Sequence, residues 1–220
     1  MTATRQFDLI VFDWDGTLYD STALITRCIQ AACADLGVPV PSDHDASYVI
    51  GMGLREALQH AAPALPRERY AELGARYRHH FVARQHEIAF FDGTLAMLQA
   101  LRARGHLLGV ATGKTRAGLD EALNSSALVG LFDATRTADE TAAKPDPRML
   151  RELMRELAVG PQRTLMIGDT THDLQLAANA GTASIGVSYG AHEHGAFKPY
   201  ATRHVAHSVA GLADWLSRHG

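Results

Sequence analysis

Lysine is nearly missing from this chain of 220 residues: only Lys114, Lys144 and Lys198 occur, and the net charge is -3. The other basic residues are arginines, and with the acidic residues in slight excess nothing in the charge balance argues for a nucleic-acid or membrane surface. Long apolar runs are also lacking; none approaches the ~20 residues that cross a bilayer. One arginine and a short apolar run broken by Asp8 and Asp13 open the chain, which is not the pattern of a secretion signal. The two cysteines, Cys28 and Cys33, have no second pair with which to hold zinc and read as free thiols of a reducing compartment. A soluble cytoplasmic protein is expected, a monomer or weak homodimer, with neither nucleic acid nor membrane as partner. Hydrophobic residues make up 46% of the chain, which supports a real core and excludes wholesale disorder.

The apolar pattern divides the chain. FDLIVF (7–12) reads as a buried strand, and Asp13 follows it directly. From 19 to 88 no strand pattern occurs. A helix is expected over 21–36, closed by Gly37, with further amphipathic helices over 43–62 and 66–86 parted at Pro63 and Pro66. Beyond Phe90 strands and helices alternate. Strands are expected at 106–111, 131–133, 164–168, 182–187 and 204–206, and helices at 94–103, 115–124, 146–158, 172–180 and 208–217. This alternation predicts an α/β fold, a Rossmann-like doubly wound parallel sheet, with an inserted α-helical cap. The expected division is a core of 1–18 with 88–220 and a cap of 19–87.

Ligand sites of open parallel sheets lie beyond the carboxyl ends of the strands. Asp13-Trp14-Asp15-Gly16-Thr17 follows the first strand, Thr112-Gly113 the second, and Asp169, with Asp173 four residues on, follows 164–168. Lys144-Pro145 opens the helix before that last strand. Clustered carboxylates raise one another's pKa, and a hard cation relieves the repulsion. With no His or Cys among them, the donors favour Mg²⁺ over zinc. Asp13 is the candidate nucleophile toward phosphorus, and Asp15 the acid and base that serves the leaving oxygen and then water. Thr112 and Gly113 offer a hydroxyl and backbone N–H groups for phosphate, and Lys144 a balancing charge. Together they supply what phosphoryl transfer needs, positioning and charge neutralisation.

DWDGT (13–17), Thr112, Lys144-Pro145 and GDTTHD (168–173) resemble, in order and in context, the four motifs of the haloacid dehalogenase superfamily. LYDS (18–21) and TGKTRAGLDEAL (112–123) are similar to its phosphoglycolate phosphatase-like subgroup, which carries a small helical cap. The resemblance implies a phosphomonoester hydrolase acting on a small phosphorylated metabolite. Asp13 would be nucleophile and metal ligand, and Asp15 acid/base and metal ligand through its carbonyl. Thr112 and Lys144 would hold the phosphoryl group, with Asp169 and Asp173 at the Mg²⁺. The cap loop GMGLRE (51–56) resembles a segment that faces the site, so Arg55 is a candidate for a substrate carboxylate or second phosphate, or an exposed helix arginine. Trp14 is expected to pack beside the site, and His192 and His194 to lie at the surface or rim. Asp15 argues against dehalogenation, which needs no proton donor. The cap has no lysine with which to form a Schiff base, which argues against phosphonoacetaldehyde hydrolysis. A pyrophosphatase or a β-phosphoglucomutase-like isomerase remains an alternative. A non-catalytic regulatory module is disfavoured, because no motif aspartate has been lost.

Overall fold

The first strand, β1 (Leu9–Phe12), is buried on both faces. Leu9 and Val11 enter an apolar cluster with Leu150, Leu153 and Met166. Ile10 and Phe12 enter a second, with Leu98, Leu108, Ile167 and Leu212. A strand covered on both sides reads as a continuous apolar run, which is why FDLIVF shows no alternation. The computed structural model describes residues 5–124 and 128–220. Between β1 and the next strand lie helices α1 (Thr22–Asp35), α2 (Asp43–Tyr48), α3 (Leu54–Ala61), α4 (Tyr70–Arg84) and α5 (Thr94–Ala103). The remaining elements are β2 (Leu107–Thr112), α6 (Arg116–Asn124), β3 (Ala134–Thr137), α7 (Arg148–Glu156), β4 (Thr164–Gly168), α8 (Thr171–Ala180), β5 (Ala183–Val187), β6 (His204–Ala206) and α9 (Val209–His219).

The strands form one parallel sheet in the order β3-β2-β1-β4-β5-β6. From β1 the chain builds outward through β2 and β3, then returns to the other side of β1 with β4. That reversal puts the topological switch point at the end of β1. Phe12 lies opposite both Val110 and Ile167, so Asp13 leaves the sheet beside the ends of β2 and β4.

Helices α1 to α4 bury their apolar faces on one another. Ile29, Cys33, Val49, Leu58 and Leu73 form a cluster separate from the two beside the sheet. Cys28 and Cys33 are both buried, and Cys33 packs within this cluster. Trp14 is buried and stacks on Tyr19 with ring centres 5.2 Å apart, which matches its expected packing role. Among the described residues no helix is long and apolar enough to cross a membrane.

The sequence reading is corrected in three places. The strand expected at 131–133 lies at Ala134–Thr137. Leu131 and Phe132 are apolar because they pack against the core from a loop, whereas the true edge strand ATRT is only half buried. Thr112 is the last residue of β2, not the first after it. His192 is buried, not at the rim.

Candidate active site

Asp13 extends the β1 ladder by one bond, its N–H donating to the Ile167 carbonyl at 2.9 Å. This fixes its carboxylate at the sheet's end. The chain then turns sharply, with the Leu18 N–H on the Trp14 carbonyl at 3.0 Å. The turn requires Gly16: its φ is +81°, and a Cβ there would lie 2.1 Å from Asp169 Oδ2. Asp15 stands on the far side of the turn. Its Oδ1 accepts from Ser21 Oγ at 2.8 Å and from Lys114 Nζ at 3.1 Å, and its Oδ2 lies 3.1 Å from the same ammonium.

Three further side chains converge on Asp13. The Lys144 side chain is fully buried, and its Nζ lies 2.7 Å from Asp13 Oδ1 and 2.6 Å from Asp173 Oδ1. Asp169 accepts from Thr17 Oγ1 at 3.0 Å and from the Ala191 N–H at 2.7 Å. Asp173 does two jobs. Its Oδ2 closes a capping box with Thr170 at the start of α8, while Oδ1 holds Lys144. Asp173 thus caps α8 while it faces the cluster.

Three buried carboxylates face one buried ammonium. Burial pushes the Asp13 carboxyl up to about 7; Lys144 opposes the shift, and the Asp173 charge adds to it. Burial, then the charges of Asp13 and Asp173, holds Asp169 well above the ordinary aspartate range. Burial alone would lower Lys144, but the two carboxylates outweigh it and hold the ammonium above its usual value. Fully ionised, the cluster would carry more negative charge than one lysine neutralises, so without a further cation it holds on to protons.

The geometry fits a cation. Asp13, Asp169 and Asp173 each present an oxygen, all within 4.8 Å of one another. Asp13 Oδ2 is buried and has no hydrogen-bond partner. Both oxygens of Asp169 and both of Asp173 already accept hydrogen bonds, so within the cluster Asp13 Oδ2 is the unengaged oxygen. Hard oxygen donors without His or Cys suit a hard divalent ion.

A cavity of about 280 Å³ opens above this cluster, lined by Asp13, Asp15, Thr112 and Gly113 on one side and by α1, α3 and α4 on the other. Thr112 is buried, and its hydroxyl accepts from the Lys114 N–H at 3.2 Å. Arg55 stands exposed on α3 in a different groove and is not among the residues that line this cavity. Thr17 and Ser21 are site residues the sequence reading did not assign, although both lie inside quoted motif words. Lys114, which from sequence could equally line the entrance or point outward, turns inward to Asp15.

The helical segment is docked onto the site. Both His172 Nε2 and His192 Nε2 lie 3.0 Å from the Tyr48 carbonyl. His192 Nδ1 accepts from the Thr171 N–H at 3.1 Å, so its Nε2 carries the proton and donates to Tyr48. A Cβ at Gly113 would lie 2.2 Å from the Met52 carbonyl oxygen. Gly113→Ala is expected to push the 51–53 loop off the site and lower kcat/KM by about 10–100-fold, the effect of ångström-scale misplacement. Steady-state kinetics beside an unchanged circular dichroism spectrum check this.

The family model for haloacid dehalogenase-like hydrolases matches residues 10–187. A 5'-nucleotidase from Pseudomonas aeruginosa is 32% identical over 99% of both chains. A phosphoglycolate phosphatase from Yersinia pseudotuberculosis is 31% identical over 94% of this chain and 90% of its own. A crystal structure of a haloacid dehalogenase-like hydrolase from Bacteroides fragilis superposes with a TM-score of 0.86 at 25% identity, covering 94% of this chain and 99% of that one. A buried aspartate at the switch point with a lysine against it, and motif and family matches that span most of the chain, lead to one assignment: this protein belongs to the haloacid dehalogenase-like hydrolases, on their phosphoglycolate phosphatase-like branch, and is a phosphatase.

Proposed function

We propose that the chain hydrolyses a small phosphomonoester with Mg²⁺ through an aspartyl-phosphate on Asp13. The observation that carries this reading is Asp13 itself. It is a buried carboxylate with one unpartnered oxygen, held against Lys144 at 2.7 Å and opening into the cavity beneath the helical segment. One Asp13 oxygen attacks phosphorus as the ester P–O bond breaks, and Asp15 gives its proton to the departing alkoxide. Water then attacks the aspartyl-phosphate, Asp15 takes the water's proton, and phosphate leaves as the P–O bond to Asp13 breaks. Ser21 and Lys114 fix the Asp15 carboxylate for both transfers. Lys144 and Thr112 hold the phosphoryl oxygens. Asp13 and Asp169, with Asp173 behind and the Asp15 carbonyl as the resemblance implies, hold Mg²⁺, which supplies positive charge to the phosphoryl group. Helices of the 19–87 segment act as the cap that excludes bulk water.

Phosphate release measured with Mg²⁺ and with excess EDTA tests this reading. Activity is expected to vanish in EDTA and return with Mg²⁺. Asp15→Asn is expected to lower turnover about 10²–10⁴-fold, the usual worth of a positioned acid/base. EDTA-resistant hydrolysis, or an Asp15→Asn variant as fast as the parent, would overturn it.

A further inference from the structure

The cavity above Asp13 is built for an apolar guest. Its cap-side wall comes from Ile25 and Ile29 of α1, Val49, Leu54 of α3, and Tyr77 and Phe81 of α4. Tyr77 and Phe81 stack with centroids 6.0 Å apart. Two cations line the space. Lys114 is already spent on both oxygens of Asp15 and lies over the Phe81 ring at 5.0 Å. Arg78 is exposed at the mouth, where water screens it. The mouth also carries an acid, Glu121, which accepts from Gln85 Nε2 at 2.8 Å. A leaving group with a carboxylate, such as glycolate, would lose its hydration against this wall, where the enclosed cation Lys114 is already paired with Asp15 and Arg78 stands out in water. An apolar cavity of about 150 Å³ is enough to hold one benzene. The 280 Å³ here suits a phosphoryl group at Asp13 with one ring beyond it.

We propose that the substrate's alcohol carries an uncharged, ring-sized apolar body that packs on Phe81, and that Phe81 and Leu54 set this preference. The proposal rests on the phosphatase reading and names the leaving group that reading leaves open.

Benzyl phosphate, ethyl phosphate and 2-phosphoglycolate all release alkyl-type alcohols, so their comparison reads the pocket more than leaving-group chemistry. Benzyl phosphate is expected to exceed each of the others in kcat/KM by on the order of tenfold or more, as burial of a ring face implies. Phe81→Ala is expected to bring the benzyl-to-ethyl ratio close to unity. Leu54→Arg, which supplies the missing cation at a half-buried position, is expected to raise 2-phosphoglycolate relative to benzyl phosphate. A parent enzyme that prefers 2-phosphoglycolate, or ratios that neither variant shifts, overturns the proposal and leaves the phosphatase reading standing. If neither these esters nor the activated anhydride acetyl phosphate is hydrolysed in Mg²⁺, the phosphatase reading falls and the proposal with it.

Discussion

Asp13→Asn is expected to lower kcat by on the order of 10⁴-fold or more, because an amide neither attacks phosphorus nor forms the covalent intermediate. Acid-quenched parent enzyme mixed with radiolabelled substrate should carry label on the protein, and the variant none. The fold should survive. The change is isosteric, and it removes one of three carboxylates crowded at the end of β1. Stability should also change its dependence on pH. The Asp13 carboxyl titrates near 7 in the metal-free fold, above the ordinary 3.8, so between those values the native state holds a proton that the unfolded chain has released. Its stabilising contribution is complete below the unfolded value and is lost as pH rises through the folded one. One such proton gives a slope of about 1.4 kcal/mol per pH unit. For a chain of this size that is roughly 3–6 °C of Tm per unit. Metal-free parent protein should therefore lose Tm from pH 5 to pH 8. Asp13→Asn should flatten that loss, though not abolish it, because Asp169 is shifted the same way. Mg²⁺ should restore Tm most at pH 8, where the carboxylates are ionised to receive it.

What the sequence revealed and what it hid divide along a physical line. Asp13, Thr112 and Asp169 were legible because each sits at or just past the end of a buried strand, and a strand covered on both faces is a strong local signal. The edge strand β3 was misplaced by three residues. Its own residues, ATRT, are half exposed, while the more apolar Leu131 and Phe132 beside it belong to a loop. Contacts across the long helical insertion were not legible at all. Nothing local in the sequence says that His192 and His172 meet the Tyr48 carbonyl more than a hundred residues away. Nor does it say that Lys114 turns inward to Asp15 while Arg55 turns out. Motif words gave the chemistry at the strand ends. The wall opposite Asp13 consists of ordinary apolar helix residues, which read as core until the helical segment is folded over the sheet.

Lys144→Met is expected to have the second-largest effect, on both activity and stability. The Lys144 side chain is fully buried, and it separates Asp13 from Asp173 at 2.7 and 2.6 Å. Removing one partner of a buried ion pair leaves the other charge uncompensated, a loss of about 3–5 kcal/mol. Here two carboxylates are left facing each other, so the upper half of that range is expected, roughly 10 °C or more in Tm. Without the ammonium, both acids need a proton to stay buried. The deficit should therefore be largest near pH 8 and shrink toward pH 5, and Mg²⁺ should recover part of it by supplying the missing positive charge. Activity should not return with the stability. At saturating Mg²⁺ and a temperature where the variant is folded, kcat/KM should remain about 10²–10³-fold down, the usual loss when one fixed donor to a developing oxyanion is removed. Lys144→Arg should not rescue it, because a planar guanidinium does not fit a fully enclosed site built around one ammonium nitrogen. A Lys144→Met enzyme with parental kcat/KM once Mg²⁺ had restored its Tm would mean that Lys144 serves only as the counter-ion of the cluster, and phosphoryl binding would then fall to Thr112 and the backbone after β2.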